Sequence, residues 1–521
     1  MPLPPLDLII ENADVVTLDP ERPQANRIGV LHGRIVGLDE DLDGWPATEV
    51  FDAAGATVLP GLIDAHTHLQ LTGQGLKAVR IDDCHSAQSA LDQIAEAATS
   101  AGPDDWIEVY GYDQLRIGRH LDAVELHKAG GGRRVWVKHW SAHASVVSTA
   151  VLERAGHGPA NGLLHELEQE LVGAQRLPYS QTELADAIEQ AARQAAAQGI
   201  TTCVDAGAGG VVGSLSPADG AAFQVLVDAG RLPVRVRLMP SMDVLHQVSV
   251  HQEDGFGRGL PLGLRTGFGG EMLGLSAQKV VLDGGMSVGT ARMTRPMTGL
   301  DSPGVWRDDP DQMREAIADG HVAGWQMAVH AIGDAALDLA LDAIAEGQRR
   351  SPRPDARHRI EHGGAIRPDQ LPRLAALGLT VVSQASFLYD YGDHYTELLG
   401  PDRADWLYRG RSLLDAGVRV VGSTDRPLPG TPLRAIQSWA ERTTNSGVVL
   451  SDDVLSVRQA LEAFTVHAAW LLRAEHELGR VRRGYRADLT VLGGNPLTTP
   501  IPEIAALEIR NTVLGGRIVA F

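Results

Sequence analysis

The sequence predicts an α/β fold: a (β/α)8 TIM barrel with a small β-sandwich formed from both chain termini and an insertion near the barrel mouth. Three observations predict it. Strand-like apolar runs alternate with helix-like segments through the middle of the chain, and eight such runs occur, the pattern of a parallel barrel. Both chain ends carry short β-rich runs punctuated by turn residues, as small antiparallel sheets do. Two surplus apolar runs lie between the first and second barrel strands.

The terminal runs include Leu8-Ile9-Ile10, Ala13 to Leu18 and Arg34 to Leu38 at one end, with Ala487 to Leu492 and Thr512 to Val519 at the other. Chain ends commonly lie close together. Residues 1–57 and 477–521 are therefore expected to form one composite sandwich around a barrel at 58–476. The barrel strands are expected at Val58 to His68, Thr201 to Asp205, Val234 to Met239, Lys279 to Asp283, Gln326 to His330, Arg359 to His362, Leu379 to Gln384 and Val418 to Ser423. Helical patterns between them include Leu184 to Ala197, Ala335 to Ala345 and Ala404 to Ala416. The surplus runs, Trp106 to Tyr110 and Arg134 to Val137, are assigned to an insertion over 102–180. A competing assignment makes Val135 part of the second barrel strand and moves the later strands along by one; the sequence alone leaves both open.

A chain of 521 residues exceeds the usual single-core size. Lys+Arg 46 against Asp+Glu 66 gives a net charge of −20, which repels nucleic acid and anionic membranes. Cys84 and Cys203 stand far apart without a C-x-x-C motif, which excludes a disulfide framework and fits a reducing compartment. The opening Met1-Pro2-Leu3-Pro4-Pro5-Leu6-Asp7 lacks the charged and apolar regions of a signal peptide, and no apolar run is long enough to span a bilayer. The expectation is a cytoplasmic protein with a small-molecule substrate and no nucleic-acid or membrane partner. Its oligomeric state, including a homo-oligomer, stays open.

Barrel chemistry sits at the C-terminal strand ends. The first expected strand ends in His66 and His68, whose spacing of two puts both imidazoles on one face of a strand. Later runs end in His330 and His362, and the last leads through Gly422-Ser423-Thr424 into Asp425. A single histidine at a strand end is more often structural than a ligand, but several such ends converging on one mouth point to a metal site. His358 shares the face of His362 by the period of two, but at the start of its strand, toward the barrel floor, so it is left out. Lys279 begins its apolar run where the histidines end theirs, which counts against it as a ligand. A neutral lysine amine can nevertheless add carbon dioxide to become a carbamate, an oxygen donor able to bridge two cations.

Leu59-Pro60-Gly61-Leu62-Ile63-Asp64-Ala65-His66-Thr67-His68, followed in order by Lys279, His330, His362 and Asp425, resembles the metal-dependent amidohydrolase superfamily. Val329 to Asp334, Arg359 to His362, Gly422 to Pro427 and the closing Gly479 to Leu492 are similar to its YtcJ-like branch, amidohydrolase family 3. The resemblance covers nearly the whole chain. It implies hydrolysis of an amide or related non-peptide C–N bond through a metal-activated hydroxide, at one or two divalent ions, usually zinc. In family terms His66, His68 and Asp425 hold one ion, His330 and His362 the other, and carboxylated Lys279 bridges them; no further cofactor is implied. The branch often has Asp-Gly-Ser-Leu-Gly-Ser-Arg after the lysine strand, whereas this chain has Asp283-Gly284-Gly285-Met286-Ser287-Val288-Gly289. That departure bears on substrate choice.

Asp425, touching metal and water, is the expected general base and proton carrier to the leaving nitrogen. His143 matches a histidine of the branch; with the insertion folded over the mouth it can hydrogen-bond the developing oxyanion. Glu166, in a similar glycine-led loop, is a weaker candidate. Phe387, Tyr389, Tyr391 and Tyr395 follow the seventh strand and, on a loop there, would border the pocket and favour an apolar substrate moiety. Rival readings are a mononuclear deaminase or cyclic-amide hydrolase on the same scaffold, and a non-catalytic regulator.

Overall fold

The computed structural model describes residues 4–141, 143–210, 215–254 and 257–519. Met1, Pro2 and Leu3 of the opening segment, and Ala142 beside His143, lie outside the described residues. The fold is α/β and TIM-barrel-like. Its central strands are β1 (Leu62–Thr67), β2 (Ile200–Ala208), β3 (Arg235–Pro240), β4 (Gln278–Val281), β5 (Met327–Ala331), β6 (Arg359–His362), β7 (Thr380–Ser383) and β8 (Arg419–Gly422). Each overlaps one of the expected runs. They are rich in β-branched residues, such as Val381 with Val382 and Val420 with Val421, which suit strands covered on both faces.

The strands pair in parallel as two arcs, β1–β2–β3 and β4 to β8 in order. A short strand, Leu273–Leu275, pairs in parallel with β3 and runs on through Ser276 and Ala277 into β4, so one interrupted segment belongs to both arcs. At the opposite edges, the Asp425 amide donates to the His66 carbonyl at 3.0 Å. Asp64 of β1 also accepts the amide and hydroxyl of Thr424 at 2.9 and 2.5 Å. The segment that follows β8 therefore meets β1 at Asp64 and His66.

Helix Gln181–Ala197 shows how the arcs are covered. Ser180 caps it through the Glu183 amide while Glu183 caps back, satisfying two orphan donors. Its Leu184, Ile188, Ala191 and Ala195 are fully buried in the main core with Val236, Val329 and Val420. Burial of each large aliphatic side chain contributes about 1.5–3 kcal/mol.

Three expectations are corrected. The run from Val58 to His68 is two strands: Thr57–Pro60 lies in a six-stranded terminal sheet, between Leu489–Leu492 and Asp14–Val16, while β1 pairs with β2. The break falls at Gly61, where a Cβ would come within 2.3 Å of the Thr201 hydroxyl, so only glycine lets the chain cross between sheets there. The terminal sheet therefore reaches Pro60, beyond the expected boundary at 57. The helix expected over Ala404 to Ala416 is a 3-10 turn, Ala404–Trp406, and a short helix, Arg411–Asp415. Tyr408 between them is left-handed (φ 37), and Leu407 bridges Ala365; tertiary pairing overrides helix propensity here. Phe387, Tyr389, Tyr391 and Tyr395 stand on helix Ser386–Leu399 rather than on a loop.

The four-stranded sheet Arg34–Leu38, Ile28–Leu31, Leu6–Glu11 and Ala47–Asp52 shares a core with the six-stranded sheet: Leu8, Ile10 and Val30 pack with Val58, Leu489, Val491 and Val513. A separate five-stranded sheet is made by Val79–Arg80, Trp106–Tyr112, Arg134–His139, Ala144–Val147 and Leu163–His165. Val135 pairs with Ile107 within it, whereas β2 pairs directly with β1; Val135 is thus no barrel strand. This sheet begins at Val79, earlier than residue 102. Among the described residues no helix is long and apolar enough to cross a membrane.

Candidate metal centre

The strand ends bring His66, His362 and Asp425 together, with one ligand atom from each lying within 4.8 Å of the others. His66 ends the inward face of β1. His68 lies just beyond β1, at the N-terminus of helix Leu69–Lys77, and its Nε2 is 3.3 Å from Asp425 Oδ1. His362 and Asp425 both have left-handed backbones, φ 71 and φ 56. Such conformations cost roughly 1–3 kcal/mol each and gather at functional sites.

That backbone corrects the face reading of β6. Arg359 and Glu361 are fully buried, and Glu361 accepts a hydrogen bond from His66 Nδ1 while pairing with Arg359. Arg359 in turn donates to the Ala65 carbonyl at 2.6 Å. The face turned toward His66 is thus occupied by this ion pair, on the side opposite the one that simple alternation assigns to His362, and the left-handed turn at His362 brings its ring to the same mouth. His358 sits below, bonded through Nε2 to His321 Nδ1 at 2.7 Å and accepting the Met327 amide at 2.9 Å. Leaving it out of the site agrees with that placement.

The imidazoles are held from behind. His66 Nδ1 donates to Glu361, His68 Nδ1 to the Ala206 carbonyl at 2.9 Å, and His362 Nδ1 to Gln384 Oε1 at 2.9 Å. Gln384 is fixed by donating to Ser423 Oγ at 2.7 Å. A histidine whose Nδ1–H is committed offers its Nε2 lone pair forward, the usual arrangement of metal-binding imidazoles. Burial, with Lys279 adding to it, lowers the His66 pKa to about 4, and burial takes His330 and His362 well below their ordinary value. All three stay neutral and able to ligate. Burial alone would raise the Asp425 carboxyl, but the surrounding His66, His68 and His362 hold it below the ordinary carboxylate range.

Lys279 is buried, with Nζ 3.3 Å from His66 Nε2. The objection that it starts its strand too low fails, because its four-carbon stem spans the distance that the backbone does not. Burial lowers its pKa to about 8, so the neutral amine is accessible near physiological pH. His330 stands slightly apart, its Nε2 3.4 Å from both the Gly284 carbonyl and Asp283 Oδ1, while its ring lies 4.5 Å from that of His362. Asp283 accepts the Ile332, Gly333 and Arg292 amides, and burial pushes its carboxyl up to about 7.

His143, between the strands Arg134–His139 and Ala144–Val147 of the separate five-stranded sheet, closes the far side. It shares a cavity of about 30 Å³ with His362, Asp425, Phe387, Tyr395 and Tyr408. A chamber of about 880 Å³ adjoins it, walled by Tyr110, Trp136, Trp140, Leu177, Leu215 and Glu166 among others. Trp140 borders both spaces and stacks on Tyr391 at 3.9 Å, with the rings nearly parallel. Tyr389 is drawn away beneath Arg434, whose guanidinium lies 4.0 Å over its ring.

With this geometry in place, comparison with known proteins is direct. The profile of the amidohydrolase family matches residues 49–520. The chain belongs to the amidohydrolase family. Membership bears out the metal-dependent hydrolase of non-peptide C–N bonds expected from the sequence. The chain is similar to a putative amidohydrolase YtcJ of Bacillus subtilis, 27% identical over 510 residues, covering 91% of each protein. It is 26% identical over 552 residues to an N-substituted formamide deformylase of Arthrobacter pascens, covering 98% of this chain and 97% of that one. An uncharacterized metal-dependent hydrolase from Pyrococcus horikoshii shares the fold, with a TM-score of 0.76 at 22% identity over 95% of this chain and 99% of that one.

Sequence reasoning singled out His66, His362 and Asp425, which the fold brings together, because each ends or closely follows an apolar run. It missed Glu361 and Gln384 as the groups that orient them. Glu361 was visible inside Arg359-Ile360-Glu361-His362, but its partner His66 is 295 positions away, and only tertiary structure pairs them.

Proposed function

We propose that this amidohydrolase cleaves an N-substituted amide with a small acyl group and a bulky apolar substituent on nitrogen. The observation that carries hydrolysis is the convergence of neutral, back-braced imidazoles with ionised Asp425 at the strand ends. A donor set of imidazole nitrogens and a carboxylate suits zinc. His66, His68, His362 and Asp425 would hold a divalent ion, with His330 and Lys279 completing a second position. When bound, such an ion acidifies water toward neutrality and polarises a carbonyl.

The chain's own groups do the rest. Asp425 takes the proton of the attacking water and delivers it to the leaving nitrogen. Burial opposes a charge on His143, but Glu166 beside it raises its pKa, so its Nε2–H can donate to the carbonyl oxygen as charge develops there. The neutral Lys279 amine could add carbon dioxide, releasing one proton, to form an anionic carbamate that would supply oxygen donors to a bound ion.

Size sets the substrate. The cavity of about 30 Å³ at the cluster accepts an acyl group of one or two heavy atoms, whereas the apolar chamber of about 880 Å³ accepts a drug-sized substituent. The relative's deformylase activity points the same way. The architecture proposed with this reading is a closed barrel, a sandwich from both termini and an insertion supplying His143.

The test is metal analysis coupled to hydrolysis of N-(2-phenylethyl)formamide and its hexanoyl counterpart. The formamide should be cleaved in a metal-dependent way, and the hexanamide, His330→Ala and Asp425→Asn should each lose turnover; equal rates on both amides would refute the size argument. Among the described residues one such cluster occurs, His66, His362 and Asp425, which also favours a one-ion version, in which Lys279 stays unmodified. One ion per chain with no added mass on Lys279 would select it.

A further inference from the structure

His143 is gripped from two sides by one residue. Glu166 directly follows the strand Leu163–His165 in left-handed backbone, φ 45, a conformation that a glutamate keeps only when its surroundings impose it. Its amide donates to the His143 carbonyl at 3.0 Å. Its carboxylate Oε2 accepts from His143 Nδ1 at 3.0 Å, and Oε1 accepts the Thr290 hydroxyl at 2.7 Å. Backbone, ring and carboxylate are thus locked by three bonds.

Thr290 anchors this unit to the barrel. It follows β4 and receives the Gly285 amide on its hydroxyl at 2.9 Å. The surface beneath is cut to fit. A Cβ on Gly285 would lie 2.8 Å from His143 Cδ2, and one on Gly284 would lie 2.2 Å from Thr290 Oγ1 and 2.5 Å from Glu166 Oε1. The insertion can seat its histidine only because the loop after β4 carries two glycines.

Nδ1–H is committed to Glu166, so the remaining ring nitrogen is the one available to a ligand. The ring borders the same cavity as His362 and Asp425, and its centroid lies 5.7 Å from that of His330. We propose that Glu166, braced by Thr290, is the positioning residue of His143: it holds Nδ1–H and aims Nε2 at the carbonyl oxygen of the bound amide. Glu166 acts on the reacting carbonyl through His143: although it borders the substituent's chamber, both its carboxylate oxygens are engaged by His143 and Thr290. This rests on the role of His143 given above, and it makes docking of the insertion onto the barrel a condition for turnover.

Two measurements on the metal-loaded full chain test it. With N-(2-phenylethyl)formamide, Glu166→Ala should lower kcat about 100-fold with KM within about twofold, the size expected of an orienting partner. In a His143→Gln background the same change should do nothing further. An equal loss in both backgrounds, or a change confined to KM, would overturn the proposal. If Glu166→Ala does not fold, Thr290→Val serves instead, with about a tenfold loss and the same non-additivity expected. The second measurement needs no turnover. In protein labelled with ¹⁵N-histidine, the Nδ1–H signal that disappears in His143→Gln should shift or vanish in the Glu166 or Thr290 variant while the other histidine signals stay. A signal indifferent to these changes refutes positioning whatever the kinetics. A signal that responds in an enzyme that leaves the formamide intact would uphold positioning and refute the substrate reading.

Discussion

The barrel holds two buried histidine groups, one at each end, and they differ in saturation. At the floor, His321 and His358 use every ring nitrogen: His321 Nδ1 meets His358 Nε2 at 2.7 Å, His321 Nε2 donates to the Ser351 carbonyl at 2.7 Å, and His358 Nδ1 accepts the Met327 amide at 2.9 Å. At the mouth, His66, His68 and His362 are braced through Nδ1, and the forward nitrogens of His66 and His68 face Asp425, that of His66 also facing Lys279. Both groups are carried by the same kind of strands and turns. A completed hydrogen-bond set marks structure, and a convergent incomplete one marks chemistry.

The largest effect should separate the two ends outright. His66→Ala should abolish tight metal uptake and lower hydrolysis by more than about 10³-fold, measured by metal content and initial rates, while the apo protein unfolds at nearly the same urea concentration. His358→Ala should do the reverse, costing about 3 kcal/mol of stability because it strands His321 Nδ1 and the Met327 amide, with metal content unchanged. If His358→Ala lost metal, the contrast would collapse. Gln384→Ala probes the bracing alone. Metal affinity should fall about 10- to 100-fold with little loss of stability, as read by competition with a chelator.

The smallest effect is in pH. Burial takes the His358 pKa well below its ordinary 6.5, so below that pH the unfolded chain binds a proton that the folded chain refuses. Its contribution is therefore full above pH 6.5 and lost as pH falls below it. His358→Phe should flatten the stability–pH slope between pH 6.5 and 5 by up to about 1.4 kcal/mol per unit. An unchanged slope would show that the floor pair is protonated as easily folded as unfolded.

Much of this was legible in the sequence, and the gaps have physical causes. Strand ends could be read because an apolar run stopping at a histidine is a local signal. Parity along β6 could not, because the left-handed backbone at His362 breaks the alternation on which the reading depends. Nor could the approach of Lys279 Nζ to His66, because strand position ignores side-chain length. The split at Gly61 and the broken helix around Tyr408 were hidden because both depend on partners remote in sequence, Thr201 and Ala365. The aromatic residues after β7 fell on a helix: residues 387, 391 and 395 recur at helical spacing and are buried, and that spacing is a local signal in the sequence itself.

The crossing at Gly61 also ties His66 to the far end of the chain. The strand that delivers His66 is continuous with Thr57–Pro60, which is paired on one side by Asp14–Val16 and on the other by Leu489–Leu492. The Gly61 amide itself donates to the Asp488 carbonyl at 2.8 Å, and Asp488 is ion-paired to Arg235 of β3. The strand end that carries His66 is thus moored to residues lying far along the chain from it. A polypeptide cut short before residue 488 would carry every residue of the proposed centre without the footing that holds His66 in place.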